Sequence, residues 1–173
     1  MEIKKNNYHG FTLIELLACL MVIMILVAVG IRNYGALFVQ QTLIQKTEHL
    51  YYFLRLARTQ AIKDNKQIYV HFCQDTNPDS WKMAMSESSA ANSCLLSGNN
   101  KVEQLTDGQK LFTSKSDITF SNQQASYKPM RFGINSGSVT LHDNRGNKLK
   151  VFQSSMRLRI CSPDSAQLGY EQC

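Results

Sequence analysis

The sequence predicts an α+β fold in which one long N-terminal helix packs on antiparallel strands. Two observations lead to this fold class. From residue 32 to about residue 64, apolar residues recur at helical spacing and no proline interrupts them. After Lys66 the period changes, and apolar residues alternate as they do in half-buried strands. Residues 32–173 have the size of one domain, so the helix and the strands are expected to share one core.

The helix begins in an apolar segment, residues 11–31, in which Glu15 is the only charged residue. As a helix this segment would span about 30 Å, enough to cross the hydrocarbon core of a bilayer. Lys4 and Lys5 precede it and place the N-terminus in the cytoplasm. The alternative is an ordinary secretory signal peptide, which has a shorter apolar run followed by a small-residue cleavage site.

The second part of the helix, residues 32–66, is amphipathic. With the apolar segment it forms one helix of about 50 residues, or roughly 80 Å. Its apolar stripe is predicted to face the core and comprises Leu43, Ile44, Leu50, Phe53, Leu54, Leu56, Ala57 and Ile62.

Residues 67–173 are predicted to form the β-rich globular part of the chain. Strands are expected at 67–73, 81–85, 110–114, 117–121 and 130–134, with a polar loop over 86–100. Two β-rich runs around the turn DNRGN predict a hairpin over 138–152, and 153–161 continues as a last strand.

Four cysteines lie beyond the apolar segment, whereas Cys19 lies within it. An exported domain meets an oxidising compartment, which favours disulfides over free thiols. No CxxC or Cys/His spacing indicates a metal site. Four cysteines allow three connectivities. The pairs Cys73–Cys94 and Cys161–Cys173 are favoured because they close the shortest loops.

Positive charge is concentrated in the last part of the chain. The net charge is +6 overall, and the final hairpin and strand carry a cluster of five cations: Arg145, Lys148, Lys150, Arg157 and Arg159. Strand spacing places the two lysines on one face, and likewise the last two arginines. Such a cluster can bind phosphates without base specificity. The alternative is a solvated edge strand, with Met156, Leu158 and Ile160 facing inward.

No arrangement of catalytic residues is apparent, so an enzyme is not expected. His49, His71 and His142 are scattered, and no glycine-rich phosphate loop occurs. His71 should point outward from its strand. No cofactor is expected, and Trp81, Tyr127 and Phe132 are interpreted as packing residues.

Two regions of the chain resemble a known family. The run Gly10-Phe11-Thr12-Leu13-Ile14-Glu15, after a short basic leader, resembles the type III signal of type IV prepilins and pseudopilins. The segments LRLARTQAIKDNKQIYVHFC (54–73) and SVTLHDNRGNKLKVFQSSMRLRIC (138–161) are similar to the GspH/FimT group of minor pilins. The resemblance implies a type IV pilin-like fold.

The resemblance also implies processing and assembly. Prepilin peptidase would remove the leader, residues 1–10, by cutting between Gly10 and Phe11, and would methylate the new amine of Phe11. The protein would cross the inner membrane once, with its C-terminal domain in the periplasm, and would then join a pilus at the cell surface with other major or minor pilins. Glu15 would pair with the Phe11 amine of a neighbouring subunit, so that each charge offsets the other's desolvation. The alternative is that Glu15 reaches water at the membrane face.

Two functions remain open within this group. Some FimT-like pilins bind double-stranded DNA during natural transformation through a Gly-Arg-x-Arg motif. Arg157 and Arg159 match its arginines, and Met156 stands in place of its glycine. The other function is that of a GspH-like pseudopilin of type II secretion, without DNA binding.

Overall fold

The computed structural model describes residues 11–90, 94, 101–130 and 133–173. Within this part of the chain, one long helix precedes eight strands, which confirms the predicted α+β class. The helix is α1 (Leu13–Lys63), and the strands are β1 (Ile68–Gln74), β2 (Trp81–Ser86), β3 (Lys101–Gln104), β4 (Leu111–Phe112), β5 (Gln124–Tyr127), β6 (Gly137–Asp143), β7 (Lys148–Gln153) and β8 (Leu158–Cys161). The chain divides into two compact units between Phe38 and Val39.

Local signals define both ends of α1. Thr12 precedes the first turn, and its carbonyl and Oγ1 accept hydrogen bonds from the Glu15 amide over 3.1 and 3.4 Å. Glu15 also places a negative charge near the positive end of the helix dipole. After Lys63, Asn65 takes a left-handed conformation with φ 52°, which ends the helix close to the predicted boundary.

The second unit contains two antiparallel four-stranded sheets. The first sheet has the order β3-β2-β1-β5, and the second has the order β4-β6-β7-β8. The predicted hairpin of β6 and β7 is present, with Val139 opposite Val151 and Leu141 opposite Leu149. β8 pairs with β7, so the last three strands follow one another in sequence and in space.

One hydrophobic core joins the later turns of α1 to the strands of both sheets. Leu43, Leu50, Phe53, Leu54 and Ala57 from the predicted stripe are buried, and Ile44 packs at the edge. The prediction was wrong for two members of the stripe, since Leu56 is 42% exposed and Ile62 is 53% exposed.

Helix geometry explains both errors. Each residue turns the helix by about 100°, which carries Leu56 and Ile62 off the face that Ala57 and Ala61 bury. Ala61 and Thr47 complete that buried face instead.

Four strand predictions differ from the structure. The predicted last strand, 153–161, is a strand only over Leu158–Cys161. Residues 117–121 form no ladder: short 3-10 turns occupy Lys115–Asp117 and Ser121–Gln123, and Ile118 makes an isolated bridge to Val139. At 110–114 only Leu111–Phe112 is a strand. In the 130–134 segment, Ile134 makes an isolated bridge to Tyr127, while 131–132 lie outside the described residues. The strands β3 and β5 were not predicted.

The structure contains both of the disulfides that the sequence favoured. Cys73–Cys94 joins β1 to the loop after β2, and Cys161–Cys173 joins β8 to the end of the chain. The segment closed by the second disulfide also contacts α1, because the Tyr170 hydroxyl donates a hydrogen bond to Glu48 Oε1 over 3.0 Å. Cys19 is a free cysteine.

The expectation that His71 points to solvent was wrong. Its side chain does lie on the face of β1 opposite Val70 and Phe72, yet His71 is only 3% exposed. The segment after β2 covers that face, and the Ser88 carbonyl lies 2.9 Å from His71 Nε2. Burial lowers the pKa of His71 below its ordinary value, and the hydrogen bond to Ser88 opposes this shift.

Candidate assembly and anion-binding surfaces

The first unit presents an apolar surface on α1. Large apolar side chains are exposed throughout residues 11–27, from Phe11 at 80% to Val27 at 53%. A continuous exposed apolar surface of this kind indicates contact with lipid or with other proteins. Among the described residues, no helical stretch is both long and apolar enough to cross a membrane.

Glu15 is the only charged residue of that apolar segment and lies in the first turn of α1. It is exposed, and Phe11 lies one turn before it with an exposed side chain. Of the two residues at the predicted cleavage site, Phe11 is described and Gly10 lies outside the described residues. The pairing of Glu15 with a neighbouring Phe11 therefore stays a prediction.

Three of the five predicted cations share one sheet face. Lys148 and Lys150 alternate along β7 with the buried Leu149 and Val151. Arg159 in β8 stands opposite Phe152, and directly opposed residues point to the same side of a sheet. The outer face of β7 and β8 therefore carries Lys148, Lys150 and Arg159.

These three cations differ in what they contact. Lys148 Nζ lies 3.1 Å from Asp164 Oδ2. Arg159 donates a hydrogen bond to the Cys173 carbonyl over 3.3 Å, and its guanidinium lies over the Phe152 ring, 6.0 Å from the centroid. Within the described residues, no carboxylate lies at ion-pair distance from Lys150.

Arg145 lies apart from this face, in the turn between β6 and β7. Its backbone amide donates to Asp143 Oδ1 over 2.9 Å, and Asn147 donates to the same carboxylate. Asp143 is therefore the residue that holds the turn, while Gly146 adopts φ 88°.

Arg157 does not join Arg159 on the outer face. It precedes β8, in a turn where its amide donates to Ser154 Oγ over 3.1 Å and its carbonyl accepts from the Ser154 amide over 2.8 Å. Arg157 instead lines a cavity of about 140 Å³ beside α1. Met156, which the alternative of a solvated edge strand places inward, is 71% exposed because it lies in this turn and not in the strand.

The same cavity is lined by two arginines that sequence reasoning missed, Arg55 and Arg58 of α1. Their i, i+3 spacing places them on one side of the helix, and this is the signal that could have found them. The approach of that helix face to Arg157 depends on long-range packing, which the sequence pattern does not show.

The three described histidines lie apart from one another, and each has a separate contact. His142 Nε2 lies 3.1 Å from Asp117 Oδ1, and His49 Nε2 lies 2.6 Å from Glu103 Oε2. Burial alone would raise the pKa of Asp117, but the hydrogen bonds from Ser114, together with the neighbouring His142, lower it below its ordinary value. No cluster of metal-ligating side chains occurs in the described part of the chain.

Comparison with known families gives two matches. The family model described as type II transport protein GspH matches residues 46–165, and the prokaryotic N-terminal methylation motif matches residues 5–31. Searches of curated proteins and of solved structures found no significant match.

Proposed function

We propose that this protein is a minor type IV pilin that joins or primes a pilus. The chain belongs to the GspH/FimT family of type IV minor pilins and pseudopilins, and this membership supports the proposal. The observation that carries this proposal is the exposed apolar surface of residues 11–27. Helices of neighbouring subunits would cover this surface in a fibre, and lipid would cover it before assembly.

The proposed processing and location are supported by the N-terminal methylation motif, which matches residues 5–31. In the proposal, prepilin peptidase cuts between Gly10 and Phe11 and methylates the Phe11 amine. The precursor crosses the inner membrane once and holds residues 67–173 in the periplasm. The two disulfides agree with an oxidising compartment.

In the fibre, Glu15 pairs with the methylated amine of Phe11 on a neighbouring subunit. Either charge alone in an apolar environment costs about 2.5–3.5 kcal/mol. The pair would reduce this cost and would also fix the axial position of one subunit relative to the next. Assembly, and not catalysis, is the proposed role.

The experiment compares membrane insertion with incorporation into fibres for Glu15→Ala and Glu15→Gln. Both variants should insert normally, and their amount in sheared pili should fall by about tenfold or more. Glu87→Ala, which removes an exposed carboxylate elsewhere, is the control and should assemble normally. Normal incorporation of the Glu15 variants would refute the pairing.

A second candidate is a pseudopilin of type II secretion, which is the role named by the matching family, type II transport protein GspH. Deletion of the protein separates the two functions. A minor pilin should be found in sheared pili, and its loss should reduce piliation. A pseudopilin should be absent from those pili, and its loss should block secretion.

A DNA-binding role is supported by the common face of Lys148, Lys150 and Arg159. The full chain in a non-ionic detergent should bind duplex DNA, with an affinity that falls steeply as salt rises. Lys150→Ala/Arg159→Ala should weaken binding by about tenfold or more, whereas Lys82→Ala/Lys101→Ala, with the same change of charge on the first sheet, should not. Equal effects of both variants, or no binding at low salt, would remove DNA from the proposal.

A further inference from the structure

We propose that the cavity between α1 and the turn before β8 is a binding site for a phosphate group. The residues that would hold the phosphate are Arg55 and Arg58 from the helix and Arg157 from the turn. The site is distinct from the outer face of β7 and β8, and it does not depend on the proposed role in assembly.

Charge is the first argument. Three guanidinium groups line the cavity, and among the described residues that line it there is no carboxylate. Arg55 and Arg157 are exposed, and no carboxylate in the described part of the chain lies at ion-pair distance from either. Arg58 is half-buried, and its positive charge lowers the pKa of the Tyr127 hydroxyl, which opposes the larger effect of burial. Positive charge therefore converges on the cavity from two separate elements of the chain.

The remaining lining suits an anion held at a partly dry site. Hydroxyl and amide groups come from Tyr51, Ser154 and Gln153. Leu54, Ile134 and Leu158 form apolar walls, which strengthen hydrogen bonds to a charged ligand by lowering the local dielectric constant. Arginine is the residue that binds phosphate through two parallel hydrogen bonds, so three arginines favour phosphate over a less demanding anion.

Size limits the ligand. A cavity volume of about 140 Å³ has room for several water molecules. One phosphate group fits this space, whereas a nucleoside attached to it would have to remain outside. The site therefore takes either free phosphate or a single phosphate of a nucleic-acid backbone.

The floor of the cavity is fixed before any ligand binds. Tyr127 is buried and donates to Gln153 Oε1, and Gln153 Nε2 donates to the Asn135 carbonyl over 2.9 Å. Hydrogen bonds between Ser154 and Arg157 likewise define the turn that carries the third arginine. Preorganisation of this kind reduces the entropy lost on binding.

The test is a titration of the isotope-labelled full chain with inorganic phosphate, in non-ionic detergent and at constant ionic strength. The NMR signals of the Arg55, Arg58 and Arg157 side chains should shift together, and that of Arg159 should not. Arg55→Ala or Arg157→Ala should weaken phosphate binding by about tenfold, the effect of losing charged hydrogen bonds. Arg157→Lys should restore part of the affinity because it keeps the charge and loses the paired geometry.

Arg159→Ala is the matched control, since Arg159 is close in sequence and does not line the cavity. No phosphate-dependent shift in the unsubstituted protein would overturn the proposal. An equal loss of affinity in the Arg159 variant would also overturn it, by showing a general effect of charge.

A parallel titration with duplex DNA identifies the source of the phosphate. If DNA shifts the same three arginine signals and competes with inorganic phosphate, the phosphate belongs to a nucleic acid. If phosphate binds and DNA leaves these signals unchanged, the site takes free phosphate. Loss of DNA binding in the Lys150/Arg159 variant, with phosphate binding intact, would separate the outer face from this cavity.

Discussion

The hydroxyl of Tyr127 in β5 donates a hydrogen bond to Gln153 Oε1 in β7 over 2.5 Å, and so joins the two sheets in the interior. Both side chains are buried. Burial raises the pKa of Tyr127 above its ordinary value, so the hydroxyl keeps its proton as a donor at neutral pH. Because Gln153 also donates to the Asn135 carbonyl, one glutamine connects three segments of the chain.

Tyr127→Phe should therefore destabilise the second unit although it removes a single oxygen. It leaves Gln153 Oε1 buried without its donor, which costs about 1–3 kcal/mol in the free energy of unfolding. Denaturant unfolding of the full chain measures this cost. Tyr52→Phe, at an exposed tyrosine of α1, is the control and should change stability by less than about 0.5 kcal/mol. Equal stability of both variants would show that the Tyr127 bond contributes nothing.

The sequence correctly predicted those elements that are specified by residues close together in the chain. The helix, the hairpin of β6 and β7 and the shortest disulfide loops are of this kind. The strand β3 was missed because KVEQ is mostly exposed and carries no apolar alternation. The segment 117–121 looked like a strand, but the hydrogen bonds of Ser114 to Asp117 form a 3-10 turn there.

The candidate sites were predictable only in part, for the same reason. Alternation correctly placed Lys148 and Lys150 on one face. It failed for Arg157, because the pattern of a continuous strand does not reveal the Ser154 turn that separates Arg157 from Arg159. Arg55 and Arg58 were invisible as partners of Arg157, since about 100 residues of chain separate them and only tertiary packing brings them to one cavity.

Each disulfide is expected to contribute about 3 kcal/mol to stability through loop closure. Cys73→Ala/Cys94→Ala and Cys161→Ala/Cys173→Ala should both lower the free energy of unfolding by about this amount. Cys19→Ala, which breaks no disulfide, should leave stability unchanged. Urea unfolding of the three variants provides the comparison, and unfolding of the unsubstituted protein after reduction should reproduce the sum of the two losses.

The second disulfide should have an additional local effect. It closes the segment that places Tyr170 against Glu48, where burial and then the neighbouring carboxylate raise the pKa of Tyr170 to about 12. In Cys161→Ala/Cys173→Ala, hydrogen exchange should accelerate in that segment while remaining slow in β1. Unchanged protection from hydrogen exchange in residues 162–172 would show that this segment keeps its structure without the disulfide.

Stability should decrease in mild acid because His71 is buried in its neutral form. Its pKa in the folded protein lies below the ordinary value of 6.5. As the pH falls below about 6.5, the unfolded chain binds a proton that the folded chain resists. The contribution of neutral His71 to the free energy of unfolding is therefore complete above this pH. It is lost as the pH falls towards the pKa of His71 in the folded protein. The change in the free energy of unfolding with pH that this one group causes cannot exceed about 1.4 kcal/mol per pH unit.

His71→Gln tests this prediction, because glutamine keeps a donor for the Ser88 carbonyl and does not titrate. Melting temperatures measured from neutral to mildly acidic pH should fall less steeply in the variant. The NMR titration of the His71 ring gives the folded pKa directly. A ring that titrates at or above 6.5 would contradict the burial argument.

The pairing of Lys148 with Asp164 predicts a variant that gains function, provided that the outer face of β7 and β8 binds DNA. The two groups lie 3.1 Å apart and are both partly exposed, so the ion pair itself contributes little to stability. Asp164→Asn releases the lysine and removes a negative charge from the same face. The affinity for duplex DNA should rise, and the dependence of log affinity on log salt should steepen by about 0.9, the value for one more phosphate contact.

Asp79→Asn makes the same change of charge at an exposed site before β2 and should leave the slope unchanged. If the two variants behave alike, Lys148 contacts no phosphate and the outer face owes any DNA binding to Lys150 and Arg159.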